Sequence, residues 1–512
     1  MTSRQYPLLP DIGISCRPLS IVCVQFSSDY FHNFVKSECV RDPAIQVIVV
    51  DNRDNAHFAN LGEAMNAGIR QAKNSVVIIV HEDVLLPNHW QQHFEIALRK
   101  LEGNDPNWGI LGVCGRLGGQ RFEGHLSDPY AFTNTLGFAA FRQADWLDEQ
   151  LLVLKNDGVV LPDPNLPSIH CIGRDLIGTA RLHRRAAYII NAPTIHKYAD
   201  AEGKIIQSKE DSPKIMDRLG FGYKAEEACA REYFDRKWNT VPVVQAPRLE
   251  IDVDQQAALE SPVILVAQGG SASRLVSSLA EDFGLFIGGN VNVSGDSLEM
   301  VMPIYMGIIR KFSCKALWQK GEIVQHLRRG AAEMLQKAGW PEFWGFKLSE
   351  SIYLIPEIKE AFPQARFLHL LRDPLGTCLW GSHMTGRVDN QIGRAVIPHG
   401  YDYVGRVRSL IHSDSVPMRM AVTTVHQLAI AFAYLPADRT HVVHFESVIE
   451  APDMVTDEVS KWFDRKKIGH QLATKADRGR AENPPVKYSA EVETEVRKFL
   501  TPLRLRLNYI AV

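Results

Sequence analysis

Two α/β domains joined by a short linker are what this 512-residue chain predicts, and three observations predict it. Strand-like and helix-like stretches alternate from Ser20 to about Pro87, and a second, unlike alternation starts at Pro262. Between them the chain loses helical period and carries prolines, as a connection does. The length exceeds one ordinary core, at roughly one to two hundred residues per domain. The division that follows is 1–240, a linker over 241–260, and 261–512.

In the first domain SIVCVQF reads as strand, DYFHNFVKSECV as helix, IQVIVVDN as strand, ANLGEAMNAGIRQAK as helix and SVVIIVHED as strand. This βαβαβ series predicts a doubly wound, Rossmann-like sheet. Val76 to Val80 is continuous and rich in β-branched residues, the pattern of a strand covered on both faces. GILGVCG adds a strand, AAYIINAPTIHKY a strand ending at His196, and Ala225 to Lys237 a helix. In the second domain PVILVAQGG is a strand, SRLVSSLAEDFG a helix, and ARFLHLLRD and THVVHFES are later strands beyond a helix-rich middle. No internal repeat or low-complexity tract is present.

Hydrophobic content of 45% with 23% charged residues is that of a globular protein, and a formal net charge of -2 gives no field for capturing nucleic acid. No stretch reaches the eighteen or so apolar residues of a spanning helix, and the start lacks a basic flank before an apolar run, so a cytoplasmic protein without a membrane span is expected. The eight cysteines lie far apart without a CxxC pair, which points to reduced thiols rather than a zinc knuckle or disulfide framework.

The chemistry starts where VVIIVHEDVLLP drives a buried strand into His81, Glu82 and Asp83. Parallel sheets bind ligands beyond their carboxyl ends, and acids there hold a cation. Asp51 ends the neighbouring strand, where it either accepts from a base or ribose or caps a turn. Asn60 and Arg70 flank the next helix, facing phosphate or solvent. Asp148 and Glu149 precede an apolar run, as helix caps or as catalytic acids, and His196 is either a cation ligand or structural. In order, NLGEAMNAGIRQAK, VHEDVLLP, GILGVCG, DWLDEQLLVLK, IHCIGRDL and IHKY resemble a family-2-like glycosyltransferase domain of the GT-A fold. By that resemblance His81 and Asp83 take the outer places of an Asp-x-Asp element that sets a divalent ion, manganese or magnesium, on the diphosphate of a nucleotide-sugar donor. Glu82 lies between them on the donor, and His196 matches the family's distal histidine. The family's general base is an acid in a loop that reads Gly173, Arg174, Asp175, Leu176 here. With Gly173 at the earlier acid's place, the role falls to Asp175, Asp148 or Glu149.

VILVAQGGSASRLVSSLAEDFG is a strand, a loop and a helix, which forms either a phosphate cradle or a tight turn, and it lacks the Gly-Lys-Ser/Thr of a P-loop. Together with WGFKLSE and RFLHLLRDP it resembles the P-loop-like sulfotransferase superfamily over about Pro262 to Leu500. The resemblance implies 3′-phosphoadenosine 5′-phosphosulfate as cofactor. It assigns Gly269, Gly270, Ser271, Ala272, Ser273 and Arg274 to the 5′-phosphosulfate, Arg372 to the 3′-phosphate, and Lys347 to a place near the loop. The chain departs from the family at Gln268 and Gly269, where a basic residue is expected, and at Ala272, where glycine is. Trp380 stands at the expected serine, and Ser382 falls two places late. Arg478, Gly479 and Arg480 complete a phosphate clamp or form a solvated turn, and His383 and Glu350 are conceivable bases.

The expected activity is therefore sugar transfer to a glycan or glycolipid by the first domain and sulfation of a related glycan by the second. The alternatives are a glycosyltransferase whose second lobe only binds, and a non-enzymatic glycan-binding scaffold.

Overall fold

The computed structural model describes residues 9–26, 29–53, 57–58, 60–118, 122–127, 132–199, 203–206, 215–238, 251–313, 320–379, 381, 383–470, 472 and 487–510. The chain forms two compact units, Met1–Gly220 with Glu227–Val243, and Phe221–Glu226 with Val244–Val512.

The first unit is built on a seven-stranded sheet in the order Gln46–Asp51, Ser20–Gln25, Val76–His81, Leu151–Lys155, Ile110–Gly112, Ala187–Ile190, Phe141–Gln143. The first three strands are parallel, as the alternating pattern predicts. Leu151–Lys155 runs antiparallel to both its neighbours, which makes the sheet mixed rather than doubly wound throughout. Val76 to Val80 is buried on both faces: Val77 and Ile79 join one apolar layer, and Val76, Ile78 and Val80 the other. Alternate residues of a strand point to opposite faces, so a run of Val and Ile serves two layers at once. The helix expected from ANLGEAMNAGIRQAK is Leu61–Ile69. The segment DYFHNFVKSECV holds a short helix Phe31–Val35 and a 3-10 turn Glu38–Arg41 instead of one helix. The strand expected to end at His196 is broken in two: Ala187–Ile190 stays in the large sheet, and Ile195–His196 pairs antiparallel with Val84–Leu85. Pro193 separates them and has no N–H to give to a ladder.

A four-stranded antiparallel sheet lies beside this core, in the order Trp146–Leu147, Cys114–Arg116, Glu123–Ser127, Phe132–Asn134. GILGVCG therefore feeds two sheets, through Ile110–Gly112 and Cys114–Arg116.

The second unit centres on a wholly parallel sheet, Gly345–Lys347, Val263–Val266, Arg366–Leu371, Thr440–His444. Val263–Val266 is buried along its length and has neighbours on either side that come later in the chain, so a crevice opens beyond its carboxyl end. Helices cover the sheet, among them Arg274–Glu281, Pro452–Phe463 and Val416–Tyr434. The linker segment is partly ordered: Val253–Glu260 is a helix with a reciprocal capping box between Asp252 and Gln255. Residues 241–250 of the expected linker lie outside the described residues.

Candidate functional site

In the first unit His81, Asp83 and His196 converge, with one ligand atom of each within 4.8 Å of the others. His81 ends the strand Val76–His81, Asp83 follows two residues on, and the ladder of Ile195–His196 on Val84–Leu85 brings the third group in. The Lys197 N–H donates to the Asp83 carbonyl at 2.7 Å and locks that ladder. His196 Nε2 lies 3.1 Å from Asp83 Oδ1, and His81 Nδ1 lies 4.0 Å from the same oxygen. Burial opposes charge on Asp83, but His196, through its charge and its hydrogen bond, with Lys197 and His81, more than offsets this and holds the carboxyl well below its usual range. Burial pushes the His81 imidazole down to about 4 against the pull of Asp83, so it is neutral at pH 7 and able to act as a ligand. Its Nε2 is buried with no hydrogen-bond partner, a lone pair left for something else. Two imidazoles and one carboxylate suit a first-row transition-metal ion better than magnesium, which prefers an all-oxygen shell.

Asp148 raises the His81 value electrostatically and so lies close to the cluster. Beside it, burial and the Asp148 charge push the Glu149 carboxyl up to about 8, while the backbone N–H groups of Gly173 and Cys171 pull the other way. Glu149 thus sits at the amino end of the helix Ile172–Leu182, against the residue whose place the resemblance gives to the base. Gly173 itself has no room for a side chain, since a Cβ there would lie 2.4 Å from the Leu147 carbonyl oxygen. Asp175 is buried and turned to a different neighbourhood. Its Oδ1 accepts from Trp238 Nε1 at 2.8 Å and pairs with Lys237 Nζ at 2.7 Å, and burial raises its carboxyl.

The remaining residues of this unit do structural work in this state. Asp51 ends its strand bound to Arg53 at 2.6 Å, and that hydrogen bond holds its carboxyl at about 2. Asn60 is the N-cap of Leu61–Ile69, accepting from the Glu63 N–H at 3.0 Å. Arg70 is exposed at the other end of that helix. Glu82 accepts from the Phe26 N–H at 2.9 Å, tying two strand ends together.

In the second unit the loop after Val263–Val266 runs from Gln268 to Ser273 into the helix Arg274–Glu281. Ser271 folds it back, its Oγ donating to the Gln268 carbonyl at 2.6 Å. Gly270 takes φ 86 and Ala272 φ 60, so the alanine at the family's glycine place carries left-handed backbone. The Gln268 side chain is buried with its Nε2 unpartnered, a donor beside the loop. Ser273 precedes the helix without a capping bond, which leaves its hydroxyl uncommitted to the helix end. Arg372 ends the adjacent strand, donates to the Gly270 carbonyl at 3.3 Å and stacks over Phe445 at 4.4 Å. Burial lowers it, and Glu446 and Asp373 oppose that. Arg504 grips Asp373 with two bonds of 2.8 and 2.7 Å, and the Asp373 N–H donates to Glu446 at 3.0 Å. Sequence reasoning missed Arg504 and Glu446, since nothing in spacing links them to Arg372. Lys347 is buried and engaged by Asp296 at 2.6 Å and the Ser294 carbonyl at 3.0 Å. His383 and Glu350 come together, Nε2 to Oε1 at 3.1 Å, with Thr385 Oγ1 3.1 Å from the other ring nitrogen. Trp380, Ser382, Arg478, Gly479 and Arg480 lie outside the described residues.

Residues 296–466 match the sulfotransferase family, so the second unit carries a sulfotransferase-like domain. A relative from Fuscovulum blasticum, "ATP synthase subunits region ORF 6", is 27% identical over 164 residues, covering 30% of this chain and 64% of its own length, just under two thirds. Among solved structures, a sulfotransferase from Mycobacterium avium aligns at 11% identity and a TM-score of 0.31 over 55% of this chain and 83% of that one. The sulfotransferase domain from the curacin biosynthetic pathway aligns at 12% and 0.27 over 48% and 97%. A mannosyltransferase from Pyrobaculum calidifontis, in complex with GDP-Man and Mn2+, aligns at 10% and 0.28 over 46% and 68%. Among the described residues no helix is long and apolar enough to cross a membrane.

Proposed function

We propose that the second unit transfers a sulfuryl group from 3′-phosphoadenosine 5′-phosphosulfate to a hydroxyl of a glycan or glycolipid. The observation that carries this is the His383–Glu350 pair standing on the Gly269 backbone, at the sheet end that also carries Arg372. Loop N–H groups and Arg372 suit the two phosphate ends of the cofactor. Glu350 holds the Nε2–H of His383, and Nδ1, on exchanging Thr385 for the acceptor hydroxyl, takes its proton as the hydroxyl oxygen attacks sulfur. The S–O bond to the nucleotide breaks and adenosine 3′,5′-bisphosphate leaves with the electron pair. Radiolabelled phosphosulfate donor incubated with the full chain and a mixed glycan acceptor should give labelled glycan. In His383→Ala that rate should fall about 10²- to 10⁴-fold while bisphosphate binding holds. A chain that binds the bisphosphate but never transfers label would instead be a binding lobe.

A second activity is favoured by the His81, Asp83 and His196 cluster: sugar transfer from a nucleotide-sugar donor in the first unit. A divalent ion bound there supplies positive charge to the departing diphosphate. Glu149, whose carboxyl meets the backbone N–H of Gly173, takes the acceptor proton, and Asp148 sustains its basicity. Asp51 stands at the strand end where the base or ribose is expected, and would exchange Arg53 for it. Manganese titrated into the intact protein should bind one-to-one and stimulate donor hydrolysis, and Asp83→Asn should lose both. Hydrolysis indifferent to chelator would remove this reading.

A further inference from the structure

On one face of the small antiparallel sheet, three side chains of the first unit gather from neighbouring strands. Trp146 is directly opposite Arg116, and Gly115 opposite Glu123, so continuing the register sets Phe122 opposite Arg116 on the other side. Opposed residues share a face, and here their heads gather into a triangle, the two rings edge to face with the guanidinium against both. The Phe122 and Trp146 centroids are 5.1 Å apart at 70°, with Arg116 Cζ 5.7 and 5.6 Å from them. Phe122 is 44% exposed, and Trp146 and Arg116 are partly exposed. Arg116 makes no ion pair with any described carboxylate. The same face leads toward the His81, Asp83 and His196 cluster: the Asp148 N–H donates to the Cys114 carbonyl at 3.0 Å, which extends the ladder and puts Asp148 on the face of Trp146, about 7 Å along. Asp148 in turn acts on His81.

We propose that this face is an acceptor subsite for a saccharide that carries an anionic group. The apolar C–H face of a sugar ring lies on Trp146 with Phe122 against its edge, and a carboxylate or sulfate on that sugar pairs with Arg116. A nucleoside base would also stack on rings, but the strand order argues for the acceptor. Asp51, the residue suited to a nucleoside, ends a strand on one side of Val76–His81, whereas Asp148 leads into Leu151–Lys155 on the other. The inference rests on the sugar-transfer reading for its role, and its test does not.

Binding of a hyaluronan tetrasaccharide, of neutral cellotetraose and of uridine to the intact chain would be measured by calorimetry and saturation-transfer NMR. Hyaluronan should bind, Trp146→Ala should weaken both oligosaccharides at least tenfold, and Trp146→Tyr should keep most of the affinity. Arg116→Gln should bring hyaluronan down to the level of cellotetraose, and Asp83→Asn should leave both unchanged. Failure of either oligosaccharide to bind the unaltered protein, equal binding to Trp146→Ala, or displacement of hyaluronan by uridine would overturn the subsite. Oligosaccharide binding without manganese-stimulated donor hydrolysis would keep the subsite and sink the sugar-transfer reading alone.

Discussion

The imidazole of His383 packs on Gly269 so closely that a Cβ at that glycine would lie 2.2 Å from three ring atoms. The loop and the proposed base are therefore fitted to one another. Gly269→Ala should turn the ring away from Glu350 and cost about 1–3 kcal/mol of stability. Sulfuryl transfer should fall by more than bisphosphate affinity, a split that steady-state kinetics beside calorimetry would read.

Arg372 supplies a fork of donors at the strand end, held by the Gly270 carbonyl and Phe445. Its loss removes a charge-assisted contact, so Arg372→Ala should weaken adenosine 3′,5′-bisphosphate by about 1.5–3 kcal/mol, roughly ten- to more than hundredfold. Adenosine 5′-phosphate, which lacks the 3′ group, should bind both proteins alike. Equal loss for both nucleotides would show that Arg372 only braces the loop.

Glu149 gives a pH signature. Its folded value of about 8 exceeds the ordinary carboxyl value of 4.5, so between these the folded state holds a proton that the unfolded state has released. Stability from this group is full below about 4.5 and is lost as pH rises toward 8. Glu149→Gln should therefore raise the thermal midpoint more at pH 9 than at pH 4. As a base it must be deprotonated, so sugar transfer by the unaltered chain should climb with pH through about 8, and the variant should lose that activity.

Ala272 sits at φ 60, where an L side chain costs about 1 kcal/mol or more. Ala272→Gly should relieve that strain and raise the melting point of the second unit by roughly 2–4 °C per kcal/mol recovered. Scanning calorimetry of the full chain would resolve it, and a lowered midpoint would mean that the methyl group packs usefully.

Much of the framework can be read from the string of residues because burial writes itself into it. Val76 to Val80 announces a two-sided strand, and the acids after it announce a site. Strand direction is not written in the same way: the apolar run Leu151 to Leu154 is equally well buried parallel or antiparallel, and here it is antiparallel. Residues brought together by folding were harder still. His383 and Glu350 could be named but not paired, and Glu149 could be offered as a base without any sign that its partner is the backbone at Gly173. Trp146, Arg116 and Phe122 cannot be brought together from the sequence, because their alignment depends on a cross-strand register that no spacing records.

The central position of Val263–Val266 also bears on how the second unit comes into being. Emerging first from the ribosome, this strand waits for Gly345–Lys347 and Arg366–Leu371, translated far later, before either edge is hydrogen-bonded. Such distant pairing slows assembly. Arg504, near the far end, then clasps the residue after Arg372. Nascent chains stalled before the helix Ala490–Arg506 should thus remain substrates for chaperones, with the crevice at this sheet end among the last parts of the second unit to mature.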